Sequence, residues 1–214
     1  MNDLLFVFSF IGTVAFAISG TAVAIKHKMD LFGVIVLGMI TATGGGIIRD
    51  LVLGVIPPKF FTEPIWAITA VVTSLLSFVV AYFAYDKIFN KHIKLEENLL
   101  FISDAIGLAA FTVIGIESAM LLGFGSMTLL IFVGMITGVG GGMLRDVFSG
   151  EIPYVFKKHI YAVASCVGAI TNILLTRYLS AEIGMIVGFI VVVVIRCLAK
   201  HFEWNLPVVS KKEK

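Results

Sequence analysis

Seven long apolar segments set the fold class of this chain. They cover residues 4–25, 31–54, 64–84, 99–121, 127–149, 158–178 and 181–200. A helix that crosses a bilayer needs about 20 mostly apolar residues, and each segment has that length. The composition agrees, because 59% of the residues are hydrophobic and only 14% are charged, whereas soluble domains are about 25% charged. The sequence therefore predicts an all-α integral membrane protein with seven transmembrane helices.

The basic residues lie mostly on one side of the predicted membrane. Seven crossings leave Lys59 and Arg177 on one side and place Arg49 and Arg145 within the membrane. Cytoplasmic loops carry the excess of lysine and arginine, so we expect the N-terminus outside and the C-terminus in the cytoplasm. The basic residues expected on the cytoplasmic side are Lys26, Lys28, Lys87, Lys91, Lys94, Lys157, Lys158, Arg196, Lys200, Lys211, Lys212 and Lys214.

One motif occurs twice. Residues 38–57 read GMITATGGGIIRDLVLGVIP and residues 134–153 read GMITGVGGGMLRDVFSGEIP, while residues 12–16 (GTVAF) are similar to 107–111 (GLAAF). A unit of three crossings ends on the side opposite its start, so a second copy must be inverted. We predict one membrane domain, 1–214, with a three-helix repeat at 4–84, an inverted repeat at 99–178, a seventh helix at 181–200 and a tail at 201–214. Such 3+3 symmetry is typical of transport proteins.

Three consecutive glycines occupy the centre of the second and fifth predicted helices. Each glycine costs about 1 kcal/mol relative to alanine in a helix, so we expect both helices to kink or unwind there. Threonines just before the triplets can bond the freed carbonyls or line a wet path. Close helix packing is the weaker alternative, because three successive glycines cover all sides of a helix. The residues concerned are Gly44, Gly45, Gly46, Gly140, Gly141, Gly142, Thr41, Thr43 and Thr137.

An Arg-Asp pair follows each glycine triplet, at Arg49-Asp50 and Arg145-Asp146. An arginine at the centre of a membrane helix costs about 2.5–3.5 kcal/mol on insertion scales, so neither arginine is expected to face lipid. Adjacent residues on a helix do not face each other. We therefore expect each arginine to pair with an acid of the opposite half of the chain rather than with its neighbour.

Acidic residues outnumber arginines within the apolar segments. Asp104 and Glu117 add to the two motif aspartates, which makes four acids against two arginines and a difference of two negative charges. An acidic excess along a wet path favours cations. Glu117 lies about one turn from its helix end, so contact with interfacial water is an open alternative for it.

The chain carries no signature of an enzyme or of a nucleic-acid-binding protein. It has no plausible nucleophile-base pair and no metal-ligand spacing, and GGG-x-x-RD lacks the strand-turn-helix context of nucleotide-binding loops. We expect no catalytic activity, no cofactor, no metal and no nucleic-acid partner.

The doubled GGG-x-x-RD motif is followed each time by G-x-x-P, at Gly54/Pro57 and Gly150/Pro153. With the 3+3+1 layout, these motifs resemble the trimeric intracellular cation (TRIC) channels over residues 4 to about 200. The resemblance is to the prokaryotic branch, because animal members carry a lysine-containing motif in the fifth helix where this chain has glycines. It implies a prokaryotic inner membrane, contact with membrane lipids, and a homotrimer in which each protomer has its own pore lined by helices 2 and 5.

Two functions follow from the resemblance. The first is passive conduction of potassium, with sodium as a second ion, through a path formed by the two glycine triplets and the two Arg-Asp pairs. The alternative is secondary transport of a small zwitterion such as glycine, since bacterial members of the family have also been described as glycine transporters. In that case the helix N-termini after the triplets and a nearby arginine would bind the carboxylate.

Overall fold

The apolar segments fold into long helices because their backbone polar groups have no water partner in a membrane. The computed structural model describes residues 2–88, 93–157 and 160–204, and these residues contain helices and no strand. Lys91, Lys158 and most of the predicted tail lie outside the described residues. The helices are α1 Asn2–Lys26, α2 Leu31–Val52, α3 Lys59–Thr62, α4 Pro64–Ile88, α5 Ile93–Leu121, α6 Met127–Phe148, α7 Tyr154–Lys157, α8 Tyr161–Tyr178 and α9 Ala181–His201.

Six of the described helices are long and apolar enough to cross a membrane: α1, α2, α4, α5, α6 and α9. The prediction of an all-helical membrane protein is confirmed. The sixth predicted crossing, at 158–178, corresponds to α8 and is not among these six; its 18 residues include Ser165, Asn172 and Arg177 and are therefore less apolar. The count of seven crossings is not confirmed.

Local sequence explains where α2 begins and ends. The side chain of Asp30 caps its N-terminus by accepting a 2.7 Å hydrogen bond from the N–H of Gly33. Gly54 follows its last turn with a φ of +74°, a left-handed conformation that favours glycine. Gly150 has the same position after α6, with a φ of +76°. The G-x-x-P motifs are thus helix stops that redirect the chain into α3 and α7.

The packing centres on four helices. α1 packs against α2 and α5, α2 packs against α6, and α5 packs against α6. α4 covers α1 and α2, whereas α8 and α9 cover α5. Buried Phe16, Ala110 and Phe111 belong to one apolar cluster to which α1 and α5 both contribute.

The glycine triplets lie where α2 crosses α6. A Cβ at Gly45 would overlap the carbonyl oxygen of Thr137, and a Cβ at Gly141 would overlap the carbonyl oxygen of Thr41. These reciprocal contacts show that the two helices run antiparallel. They also show that the middle glycine of each triplet allows the two backbones to touch. This is the close-packing role, which the sequence favoured less than an interruption of the helix.

The predicted interruption of these helices is not confirmed. α2 and α6 both remain α-helical through their triplets. The glycines remove side chains at the crossing, and the backbone contact that follows offsets the low helix propensity of glycine.

Candidate functional site

Two cavities lie at opposite ends of the bundle, one at the C-terminus of α2 and the other at the C-terminus of α6. The first, here called the Arg49 cavity, has a volume of about 390 Å³. Its polar lining includes Ser9, Thr13, Thr43, Arg49, Asp50, Lys59, Glu63 and Ser118. The second, here called the Arg145 cavity, measures about 160 Å³ and is lined by Glu97, Leu100, Phe101, Asp104, Arg145, Tyr154, Arg196 and Lys200.

Arg49 is bound by its own neighbour. Its Nε and Nη2 atoms donate to Oδ1 of Asp50 at 2.9 and 2.7 Å, and both side chains are buried. The expectation that Arg49 would pair with an acid of the second half is wrong. Successive helix residues diverge by about 100°, but the flexible stem of arginine lets the guanidinium fold back onto the adjacent carboxylate.

Arg145 lies in a larger network. Its Nε donates to Asp146 at 2.8 Å, while its Nη1 donates to Asp104 Oδ1 at 2.7 Å and to the hydroxyl oxygen of Ser19. Both acids belong to the second half, so the expectation of an acidic partner from the first half is wrong. The first half contributes the neutral Ser19 instead. An arginine that is 1% exposed therefore has two carboxylates around it.

The aspartate of each Arg-Asp pair also accepts a hydrogen bond from the first residue of a short helix. Oδ1 of Asp50 binds Arg49, while Oδ2 accepts a 2.8 Å hydrogen bond from the N–H of Lys59 at the start of α3. Asp146 accepts a 2.7 Å hydrogen bond from the N–H of Tyr154 at the start of α7. The two carboxylates therefore connect the buried arginines to the short helices that follow α2 and α6.

The last glycine of each triplet faces polar groups. The nearest atom to a Cβ at Gly46 is Nη2 of Arg49, at 3.8 Å, and Gly46 lines the Arg49 cavity. A Cβ at Gly142 would lie 3.5 Å from Oδ1 of Asp104. The cavities therefore end near the two sides of the α2–α6 crossing, and the middle glycines lie between them.

The predicted threonines have different positions. Thr43 lines the Arg49 cavity, and its hydroxyl donates to the carbonyl of Met39 at 2.8 Å. Thr41 and Thr137 are fully buried and donate to carbonyls four residues earlier in their own helices. A Cβ at Gly20 or Gly115 would lie 2.6 Å from their hydroxyl oxygens. These two threonines therefore pack α2 against α1 and α6 against α5.

Glu117 is not among the residues that line the Arg49 cavity. It is 2% exposed and accepts a 3.4 Å hydrogen bond from the hydroxyl of Thr176 in α8. The same hydroxyl oxygen lies 3.1 Å from Oδ1 of Asn172, an alternative acceptor for its single proton. The structure thus separates Glu117 from the other predicted site residues and places it at the contact between α5 and α8.

Sequence reasoning missed the position of Arg196. We predicted it on the cytoplasmic side, but it is 1% exposed and its Nη2 lies 3.7 Å from Oδ2 of Asp104. Its guanidinium lies 4.6 Å from the ring centroid of Tyr161 and 5.1 Å from that of Phe101. The seven residues that precede it in α9, 189–195, are all apolar, and this context is the sequence signal that its charge is buried.

The arrangement places charged side chains beside both cavities. Each cavity lining contains a buried ion pair, Arg49–Asp50 or Arg145–Asp104, and α2 and α6 touch at Gly45 and Gly141. The residues that the structure describes contain no group of three or more histidine, cysteine, aspartate or glutamate side chains placed to hold a metal ion.

Known proteins resemble this chain over almost its whole length. A family model described as glycine transporter matches it twice, at residues 6–82 and 101–177. The UPF0126 inner membrane protein YadS of Escherichia coli is 36% identical over 207 residues, or 95% of each chain. Two solved structures have the same fold.

The first of these is the TRIC trimeric intracellular cation channel orthologue from Rhodobacter sphaeroides, which is 30% identical with a TM-score of 0.84 and covers 94% of this chain and 98% of its own. The second, a prokaryotic TRIC channel in 0.5 M KCl, is 32% identical with a TM-score of 0.86 and covers 96% of this chain and 100% of its own. The chain therefore belongs to the family described as glycine transporter, and its fold is that of the prokaryotic TRIC channels.

Proposed function

We propose that this protein is a passive channel for monovalent cations, chiefly potassium. The observation that carries the proposal is the pair of cavities with charged side chains in their linings, on the two sides of the α2–α6 crossing. Each lining contains a buried Arg-Asp pair, Arg49–Asp50 in one and Arg145–Asp104 in the other. Relatives of the same fold are described as cation channels, which agrees with it. Conduction requires the two cavities to join, by separation or kinking of α2 and α6 at the glycines.

The assembly belongs to the same proposal. A homotrimer with one pore in each protomer agrees with the trimeric relative. The exposed apolar side chains of α4, such as Ile68, Leu76 and Phe83, are suited to lipid or to a neighbouring protomer. The two halves would form an inverted repeat around the crossing, since Gly45 and Gly141 make equivalent contacts.

The proposed orientation places the C-terminus in the cytoplasm of a prokaryotic cell. Arg196 is buried, so it is no longer counted among the basic residues of the cytoplasmic side. Eleven of the twelve basic residues remain on that side, against two on the other. The positive-inside rule therefore still supports this orientation.

A flux assay tests the channel function. We expect purified protein in lipid vesicles to pass potassium in response to a concentration gradient. Replacing both members of the Arg49 pair, as Arg49→Gln with Asp50→Asn, removes the pair without leaving an uncompensated buried charge, which would cost about 3–5 kcal/mol. This double variant should alter potassium flux several-fold, whereas Arg177→Gln, an exposed change, should not. A folded wild-type protein that passes no potassium contradicts the proposal.

Glycine transport is the second candidate. The Arg49 cavity has groups of both signs, with Arg49, Lys59, Asp50 and Glu63 in its lining, and its volume exceeds that of a small amino acid. However, α2 and α6 are continuous, so the half-helix N-termini that would bind a carboxylate are absent from these two helices. Saturable counterflow of labelled glycine in the same vesicles, with no potassium flux, would favour the carrier.

A further inference from the structure

One position of the repeat carries different polar groups in the two cavities. The offset that aligns residues 12–16 with 107–111 is 107 − 12 = 95 residues, and the same offset aligns Ser9 with Asp104. Ser9 lines the Arg49 cavity and Asp104 lines the Arg145 cavity. The Arg145 cavity therefore has a carboxylate where the Arg49 cavity has a hydroxyl.

Arg196 supplies a positive charge opposite the carboxylate of Asp104. It belongs to α9, which lies outside both predicted repeats. Oδ1 of Asp104 accepts a hydrogen bond from Arg145 at 2.7 Å and one from the hydroxyl of Tyr161 at 3.3 Å. Oδ2 of Asp104 lies 3.7 Å from Nη2 of Arg196. The two oxygens of Asp104 thus face different arginines, and the contact with Arg196 is the longer one.

This geometry points to a competition. Asp104 is 3% exposed, and its Oδ2 faces Arg196 at the edge of a cavity of about 160 Å³, which has room for a partly hydrated cation. Carboxylate oxygens are ligands for hard cations, and acidic side chains raise the local concentration of cations. The positively charged guanidinium of Arg196 next to Oδ2 weakens cation binding to the carboxylate and lowers the local concentration of cations.

We propose that Arg196 competes with a monovalent cation for Asp104 and thereby limits cation entry from the Arg145 cavity. The effect on ion flux rests on the proposed channel function, but the competition at Asp104 is a binding property that can be measured without any flux. Arg196, which belongs to the helix outside the repeats, then controls how readily a cation enters.

Thermal unfolding measures the competition directly. The full-length protein in detergent is compared in KCl and in N-methyl-D-glucamine chloride at equal ionic strength. We expect potassium to raise the Tm of Arg196→Gln by about 2–4 °C at several times its Kd and to leave the wild-type Tm unchanged. The shift should vanish in Arg196→Gln combined with Asp104→Asn. Arg196→Lys, which keeps the charge, should behave like the wild type.

Potassium flux in vesicles gives the second readout. Removing one positive charge about 10 Å from an ion in water changes the ion's local concentration about twofold, so Arg196→Gln should raise potassium flux by at least that factor. The matched control is Arg177→Gln, which removes the same charge from an exposed side chain that donates to the carbonyl of Gly125. This control should conduct like the wild type.

Each outcome decides the inference. A folded Arg196→Gln without a potassium-specific Tm shift overturns it, whether or not the wild type conducts. An Arg196→Lys protein that behaves like Arg196→Gln also overturns it, because packing rather than charge would then be responsible. A Tm shift together with a wild type that passes no potassium supports the competition and contradicts the channel function. If Arg196→Gln does not fold, Arg196→Met, whose apolar stem fits against Phe101 and Tyr161, replaces it.

Discussion

At the scale of single residues, three identical glycines have three different surroundings. Gly44 faces the side chain of Leu144, Gly45 touches the backbone at Thr137, and Gly46 faces the Arg49 cavity. A sequence pattern that looks uniform therefore combines close packing with an opening. In the second triplet Gly141 touches the backbone at Thr41, whereas a Cβ at Gly142 would lie 3.0 Å from the hydroxyl oxygen of Tyr161 and 3.5 Å from Oδ1 of Asp104.

Alanine substitutions should separate these roles. Gly45→Ala places a Cβ against a backbone carbonyl that cannot rotate away, so we expect it to destabilise the fold by about 1–3 kcal/mol. Gly46→Ala has no atom within 3.8 Å of the new Cβ, and alanine favours helix by about 1 kcal/mol, so it should be neutral or stabilising. Thermal unfolding in detergent measures both. Equal loss of stability in the two variants would contradict a packing role specific to Gly45.

At the scale of elements, charged contacts tie the segment after α6 to the end of α1. Glu151 lies 2.9 Å from Nε2 of His27 and 3.5 Å from Nζ of Lys26. Partial burial of Glu151 opposes its charged form, but the hydrogen bond with His27 and the charges of Lys26 and His27 outweigh it and hold the pKa of Glu151 below its ordinary value of 4.5. This contact joins the two halves of the chain near the Arg145 cavity.

The contact should make stability depend on pH in a defined direction. A lowered pKa means that Glu151 stabilises the fold above about pH 4.5 and that this contribution is lost as the pH falls through the lowered pKa. The contact is only partly buried, so we expect Glu151→Gln to cost at most about 1 kcal/mol at pH 7 and less at pH 3.5. Thermal unfolding at the two pH values measures the difference.

A double-variant cycle provides the control for Glu151. In a protein that already carries Lys26→Gln and His27→Gln, the further change Glu151→Gln should have no effect on Tm at pH 7. A cost at pH 7 that persists in this background would show that Glu151 acts through other residues.

At the scale of the whole molecule, the cavities on the two sides of the α2–α6 crossing differ in the charge of their linings. The described lining of the Arg49 cavity has two basic and two acidic side chains, Arg49 and Lys59 against Asp50 and Glu63. That of the Arg145 cavity has three basic and two acidic ones, Arg145, Arg196 and Lys200 against Glu97 and Asp104. The difference arises from α9, which contributes Arg196 and Lys200, and it makes the two entrances electrostatically unequal.

The proposed orientation can be checked by labelling. In a protein whose free cysteines, Cys166 and Cys197, are replaced by alanine, we introduce Lys59→Cys or Lys28→Cys at exposed positions on opposite ends. An impermeant maleimide added to intact cells should label position 59, because that end is proposed to lie outside. Position 28 should react only after the membrane is opened. Labelling of position 28 in intact cells would reverse the proposed orientation.

The sequence by itself determined the membrane class, most of the helices and the two glycine motifs, because hydrophobic length and repeated residues are local properties of the chain. It did not predict that the helices remain continuous at the glycines, that Arg49 pairs with Asp50, or that Glu117 lies apart from the cavities. The burial of Arg196 beside Asp104 was missed as well. These features depend on which surfaces meet in three dimensions, since a buried charge binds the partner that packing brings within reach, and only the tertiary structure decided which partner that was.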